Sequence, residues 1–120
     1  MEAKVNKSRK LELRMMDFAM AVISLTKMTP KTTENQIINK QLIRSASSVG
    51  ANYTEANNAA SRQDFRNKIY IAKKEAAETR YWLHLLSRTN PKANTDRLID
   101  ESTQLILILQ KVITTLRNGK

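Results

Sequence analysis

The stretch Leu42–Ala56, LIRSASSVGANYTEA, decides the fold. Small residues stand where a soluble helix would carry large apolar ones: Ser45, Ala46, Ser48, Val49, Gly50 and Ala51. A helical period survives among them. Ile38, Leu42, Val49 and Ala56 share one stripe, and Ile43, Ala46, Gly50 and Tyr53 lie beside it. Small side chains let a neighbouring backbone come close. A glycine inside a helix costs about 1 kcal/mol relative to alanine, so Gly50 implies a packing reason. Arg44, Asn52 and Glu55, which resist solitary burial, are threaded through the run. These features predict the inner helix of a tightly packed bundle.

The run also resembles the signature of the four-helix-bundle proteins encoded in intervening sequences of bacterial 23S ribosomal RNA genes. The matching positions are Arg44, Ser45, Ala46, Gly50, Ala51, Asn52 and Glu55. Downstream, Asp64-Phe65 opens the next helix and Glu78 lies in an Ala-rich stretch, as in that family. Where the family often has Gly after the Glu, this chain has Ala56. The resemblance covers about the whole chain. It implies a homopentamer arranged as a ring or barrel, and a gene location that points to nucleic acid. The family is similar in fold to the basic pentameric accessory proteins of diversity-generating retroelements, which points the same way by analogy.

The rest of the sequence is read around that helix. At 120 residues, the chain has length for one domain with one core. Only two Gly and two Pro are present, which favours long helices over sheets rich in turns. The first helix is expected over 8–28, capped by Ser8 and stopped by Thr29-Pro30. Its seam is Leu11, Met15, Phe18, Val22 and Leu25, widened by Met16, Ala19 and Ile23. Residues before Ser8 are expected to fray. The second is expected over 33–57, with Thr33 and Gln36 in capping-box spacing and Asn57-Asn58 as a C-terminal signal. The third is expected over 61–88, capped by Ser61 with Asp64 in its first turn. Phe65, Ile69, Ala72, Ala76, Thr79, Leu83 and Leu86 form its seam, and its small waist is expected to face the small waist of the second.

The fourth helix is expected over 95–118, capped by Thr95. Leu98, Ser102, Leu105, Leu109, Val112 and Leu116 form its inner seam, and Ile99, Ile106 and Ile113 a second. Leu107 and Ile108 complete an apolar run from Leu105 to Leu109, which the helical period of its flanks keeps from reading as a strand. A helix apolar most of the way round is buried on more than one side. Ile99, Ile106, Leu107, Ile108 and Ile113 are therefore candidate subunit-interface residues. Short loops between four such helices predict an all-α, up-down-up-down antiparallel bundle with left-handed twist.

Composition narrows the function. No cysteine is present, so neither a disulfide framework nor a thiolate metal site can form. No apolar run reaches the roughly 20 residues of a membrane span, and the charged N-terminal stretch is no signal peptide, so a cytoplasmic protein is expected. A di-metal bundle site needs Glu-x-x-His pairs, and the lone His84 follows neither Glu75 nor Glu78 at that spacing. Ser45, Ser47 and Ser48 lack a nucleophile context, and Gly-rich phosphate loops are missing. No enzyme and no cofactor are expected. Arg44, Asn52, Glu55 and Glu78 read instead as a structural polar network that fixes helix register.

Twenty-one Lys and Arg stand against eleven Asp and Glu, a formal charge of +10. That is the electrostatic footprint of a polyanion binder. Candidate phosphate contacts are Lys4, Lys7, Arg9 and Lys10 at the N-terminus and Arg62, Arg66, Lys73, Lys74 and Arg80 on the third helix. Aromatics are few, no helix-turn-helix or zinc-finger spacing is evident, and RNA and DNA are both open. The competing expectation is a protein–protein scaffold whose basicity serves an acidic partner protein.

Overall fold

The computed structural model describes the backbone of residues 2–118 and the side chains of residues 7–118. Four helices follow one another: α1 (Glu2–Lys27), α2 (Thr33–Asn57), α3 (Arg62–Thr89) and α4 (Asp96–Arg117). They pack as α1 on α2, α2 on α3 and α3 on α4, while α1 and α4 touch only lightly. The closest pair is α2 and α3, joined by the small residues of the deciding stretch. Among the described residues there is no strand.

The helix ends follow local chemistry, with corrections to three expected caps. The first helix begins at Glu2, so Ser8 is an interior residue rather than its cap; its hydroxyl lies 3.3 Å from the Tyr53 hydroxyl of α2. The cap of α2 is Thr32, one residue before the expected Thr33. Thr32 has extended backbone (φ −82°, ψ 163°), and its hydroxyl accepts the Asn35 amide at 3.1 Å. Ser61 caps α3 as expected, accepting the Asp64 amide at 3.0 Å. Thr95 stands at the start of α4 but caps with no side-chain bond; its carbonyl accepts the Ile99 amide at 2.9 Å. Asn58 ends α2 at φ −113°, outside the left-handed region.

The core is one cluster fed by all four helices: Met15, Phe18 and Val22; Ile38, Leu42, Ala46, Val49, Tyr53 and Ala56; Ile69, Ala72, Ala76, Leu83 and Leu86; Leu105, Leu109 and Ile113. The inner seam of α4 runs Ser102, Leu105, Leu109, Ile113, at helical spacings of three, four and four. Ile113 is fully buried within its own chain and cannot be an interface residue. Met16 does not widen the seam of α1, being 59% exposed.

Gly50 faces α1 rather than α3. A Cβ placed there would lie 3.2 Å from the Met15 Cβ, so the missing side chain sets the α1–α2 approach. The α2–α3 contact is instead seated on Ser45 and Thr79, both fully buried. The Thr79 hydroxyl reaches the Ser45 hydroxyl at 2.8 Å and the Glu75 carbonyl at 2.7 Å. Removing one partner of a buried pair strands the other, whereas removing both with isosteric apolar groups is nearly neutral. Ser45→Ala/Thr79→Val is therefore expected to cost less than the sum of its two single variants, by about 0.5–1.5 kcal/mol in urea unfolding. Strict additivity would contradict the pairing.

The end of the bundle formed by the α1–α2 and α3–α4 loops is closed by an amide pair. The Asn35 amide donates to the Asn90 side-chain oxygen at 2.9 Å, and the Asn90 amide returns a bond to Asn35 at 2.8 Å. Asn35 also donates to the Pro30 carbonyl at 2.9 Å, tying both loops together.

Candidate nucleic-acid interface

Antiparallel packing decides where the charges go. Ser8 lies at Tyr53, Asn57 bonds Glu12 at 2.8 Å, and Lys68 pairs with Glu55 at 2.7 Å. Arg62 and Arg66 line a cleft with Gln63 and Leu116. The start of α1, the end of α2, the start of α3 and the end of α4 therefore share one end. The half made of residues 7–14, 45–75 and 107–118 carries eleven Lys and Arg against four carboxylates. The other half, 15–44 and 76–106, carries eight against six. The excess positive charge is thus gathered at the end holding the α2–α3 turn.

The nine candidate phosphate contacts do not share one fate. The Lys4 side chain lies outside the described residues. Lys7, Arg9 and Lys10 are exposed on α1, with Arg9 3.9 Å from Glu12. Arg62 and Arg66 are exposed at the start of α3, and Lys74 is exposed farther along it. Lys73 and Arg80 are half-buried and turn toward α4: Lys73 donates to the Gln110 side-chain oxygen, and Arg80 to the Thr103 hydroxyl at 3.2 Å. Their head groups help to hold the α3–α4 seam. Lys111 and Arg117 of α4 join the basic end. Sequence spacing missed them because they lie far along the chain from the other cations, and only antiparallel packing unites them.

The expected polar network is differently composed. Arg44 pairs with Glu75 at 3.2 Å and with Glu78, and it also donates to Gln41 at 3.0 Å. The Trp82 indole N–H donates to the same Glu78 carboxylate at 2.9 Å. Asn52 and Glu55 are not members. Asn52 donates to the Ser48 carbonyl of its own helix at 2.8 Å, and Glu55 pairs with Lys68. Glu55 lies three turns from Arg44, about 16 Å along the helix, beyond its reach. On the opposite side of the bundle, Arg14 clasps Glu101 through two bonds of 2.7 and 2.8 Å, the main polar tie between α1 and α4.

The Trp82 indole, with Arg44 and Lys74, holds the Glu78 carboxyl below its usual range. A carboxyl lowered by folding contributes stability above its unfolded pKa, near 4.3, and loses it as pH falls through the lower folded value. Acidification below about pH 4 is therefore expected to free Trp82, read as a shift in indole fluorescence before global unfolding. Glu78→Gln should remove that early step. An unchanged acid profile in Glu78→Gln would rule the tie out.

Of the candidate interface residues, Ile99, Ile106 and Ile108 are half-buried against the core, and Leu107 is 63% exposed. Among the described residues, no three His, Asp or Glu side chains converge to hold a metal ion. No described helix is long and apolar enough to cross a membrane.

A four-helix all-α chain with a small-residue α2–α3 contact and a charge-asymmetric bundle defines the class of the protein. The chain matches the 23S rRNA-intervening sequence protein family across residues 9–111, and it belongs to that family. It is also similar to the crystal structure of a protein of unknown function from the S23 ribosomal protein family of Bacteroides thetaiotaomicron. The two share 38% identity and a TM-score of 0.77, over 85% of this chain and 96% of the other. No curated protein matches.

Proposed function

We propose that the protein is a non-enzymatic, oligomeric bundle of the cytoplasm that associates with nucleic acid through its basic end. The observation that carries this reading is the gathering of eleven cations against four carboxylates in one half of the bundle. A polyanion meets the summed field of such an end, and released counterions drive the association. Assembly as a homopentamer, which the family resemblance implies, multiplies that field around one axis. The 63% exposed Leu107 supplies an apolar surface for subunit contact.

The test is an electrophoretic shift of an RNA and a DNA of equal length at rising salt, with native mass spectrometry of the same preparation. The expected result is a shift at 50 mM salt that weakens by roughly a hundredfold or more by 200 mM, as about four or more phosphate contacts require. No shift of either polymer at low salt overturns the proposal. So does a pull-down that recovers one acidic protein and no nucleic acid.

A further inference from the structure

The outward face of α3 is neither core nor seam. Arg66, Tyr70, Lys74, Ala77, Tyr81, His84 and Arg88 succeed one another at spacings of three or four, and all are exposed. Residues so spaced share one face of a helix. The stripe spans about 33 Å and contains no carboxylate. Glu75 and Glu78, which follow Lys74 and Ala77 in the chain, are engaged by Arg44. Three cations, Arg66, Lys74 and Arg88, are interspersed with two tyrosines along it, and the tyrosine rings are large and open: Tyr70 is 42% exposed and Tyr81 60%.

Tyr81 is set in position by its neighbours. Tyr81 meets Trp82 edge-on, with ring centres 5.1 Å apart and planes at 74°. Trp82 is itself fixed to Glu78, and Glu78 to Arg44, so Tyr81 is braced by the α2–α3 polar tie. Tyr70 forms one wall of a notch of about 350 Å³, with Ile71, Lys73, Lys74 and Ala77. Ala77 leaves the gap between the two rings open. The notch has room for one nucleobase, with an ammonium group beside it for the attached phosphate.

We infer that this face binds single-stranded nucleic acid, with bases stacked on Tyr70 and Tyr81 and phosphates met by Arg66, Lys74 and Arg88. The inference rests on the nucleic-acid reading above and specifies its ligand. A duplex keeps its bases stacked on each other and offers only phosphates, whereas a single strand can present base faces to aromatic rings. The rings stand about 16 Å apart along the helix axis, a distance a few nucleotides of extended strand can span. Sequence tolerance follows, since every base has a π-face.

The experiment is fluorescence anisotropy at 50 mM salt with a labelled 12-nucleotide single strand, as RNA and as DNA, and a 12-base-pair duplex. The variant is Tyr70→Leu/Tyr81→Leu, whose exposed positions leave the fold intact, checked by circular dichroism. Single-strand affinity should fall by about thirtyfold or more for both polymers while duplex affinity stays unchanged. Tyr70→Phe/Tyr81→Phe keeps the rings and should bind within about twofold of the original chain. Unchanged single-strand binding in the Leu variant, or an equal loss on the duplex, overturns the inference and leaves the basic-end reading standing. A smaller assembly mass for the Leu variant makes the face a subunit contact and also overturns it. Failure of the original chain to bind any of the three probes overturns the parent reading as well.

Discussion

Leu105→Ala is expected to cost the chain about 2–5 kcal/mol, the range for removing a buried leucine from a core that cannot close fully over the gap. Leu105 is fully buried on the α4 seam, between Ser102 and Leu109. For a domain of this size such a loss lowers the melting temperature by roughly 8–20 °C. It is also a large share of the ~5–15 kcal/mol that stabilises a typical fold. Leu107, two residues away in the same apolar run, is 63% exposed. Leu107→Ala should leave the chain's own stability within about 0.5 kcal/mol, as for surface substitutions. The pair separates two roles that the sequence LILIL runs together. If Leu107 contributes to subunit contact, the original chain melts at a temperature that rises with protein concentration, and Leu107→Ala loses part of that dependence, because association stabilises by mass action. Equal and concentration-independent losses for both variants would contradict the burial pattern of α4.

That contrast marks how far the sequence could be read. The four helices, their order and most of their core positions follow from periodicity, because a helix that buries one stripe writes a 3.6-residue repeat into the chain. Leu42, Val49, Leu83 and Leu109 were legible in that way, and all are fully buried. Periodicity weakens where a helix is apolar on several sides. On α4, Val112 and Ile113 stand side by side, and only the folded bundle shows that Ile113 is the fully buried one. Small residues were legible as a close approach but not as to which helix approaches. Gly50 meets Met15 of α1, while Ser45 meets Thr79 of α3. Buried amides such as Asn35 were missed because Asn reads as a turn residue. Its place three residues before Ile38 and seven before Leu42 on the same stripe was the available signal. The polar network was partly legible: Arg44 and Glu78 do meet, yet Glu55 shares a helix with Arg44 at a spacing that keeps them apart. The candidate interface was least legible, since charge on three helices, α1, α3 and α4, becomes one patch only after folding.

Reversing three cations at the basic end should cost far more binding than reversing three elsewhere. Lys7→Glu/Lys10→Glu/Arg66→Glu changes exposed residues that share that end, and each reversal removes two charges, taking the formal charge from +10 to +4. Lys27→Glu/Lys31→Glu/Lys92→Glu gives the same +4 from exposed positions at the opposite end. Net charge alone would make the two variants equal, because a field summed over the whole molecule does not ask where its sources sit. A localised interface makes them differ, because salt screens exposed charges beyond about 10 Å at 0.1 M. The bundle extends 47 Å along its longest axis, so its two ends are electrostatically separate at that ionic strength. Each lost phosphate contact lowers the slope of log affinity against log salt by about 0.9 for duplex DNA. The first variant should therefore lose about three units of slope and roughly a hundredfold or more in affinity at 50 mM salt. The second should keep its slope within about one unit. Anisotropy titrations of one duplex at four salt concentrations measure both. Matching slopes in the two variants would mean that the bundle attracts polyanions by total charge and that its basic end is only a solvated surface.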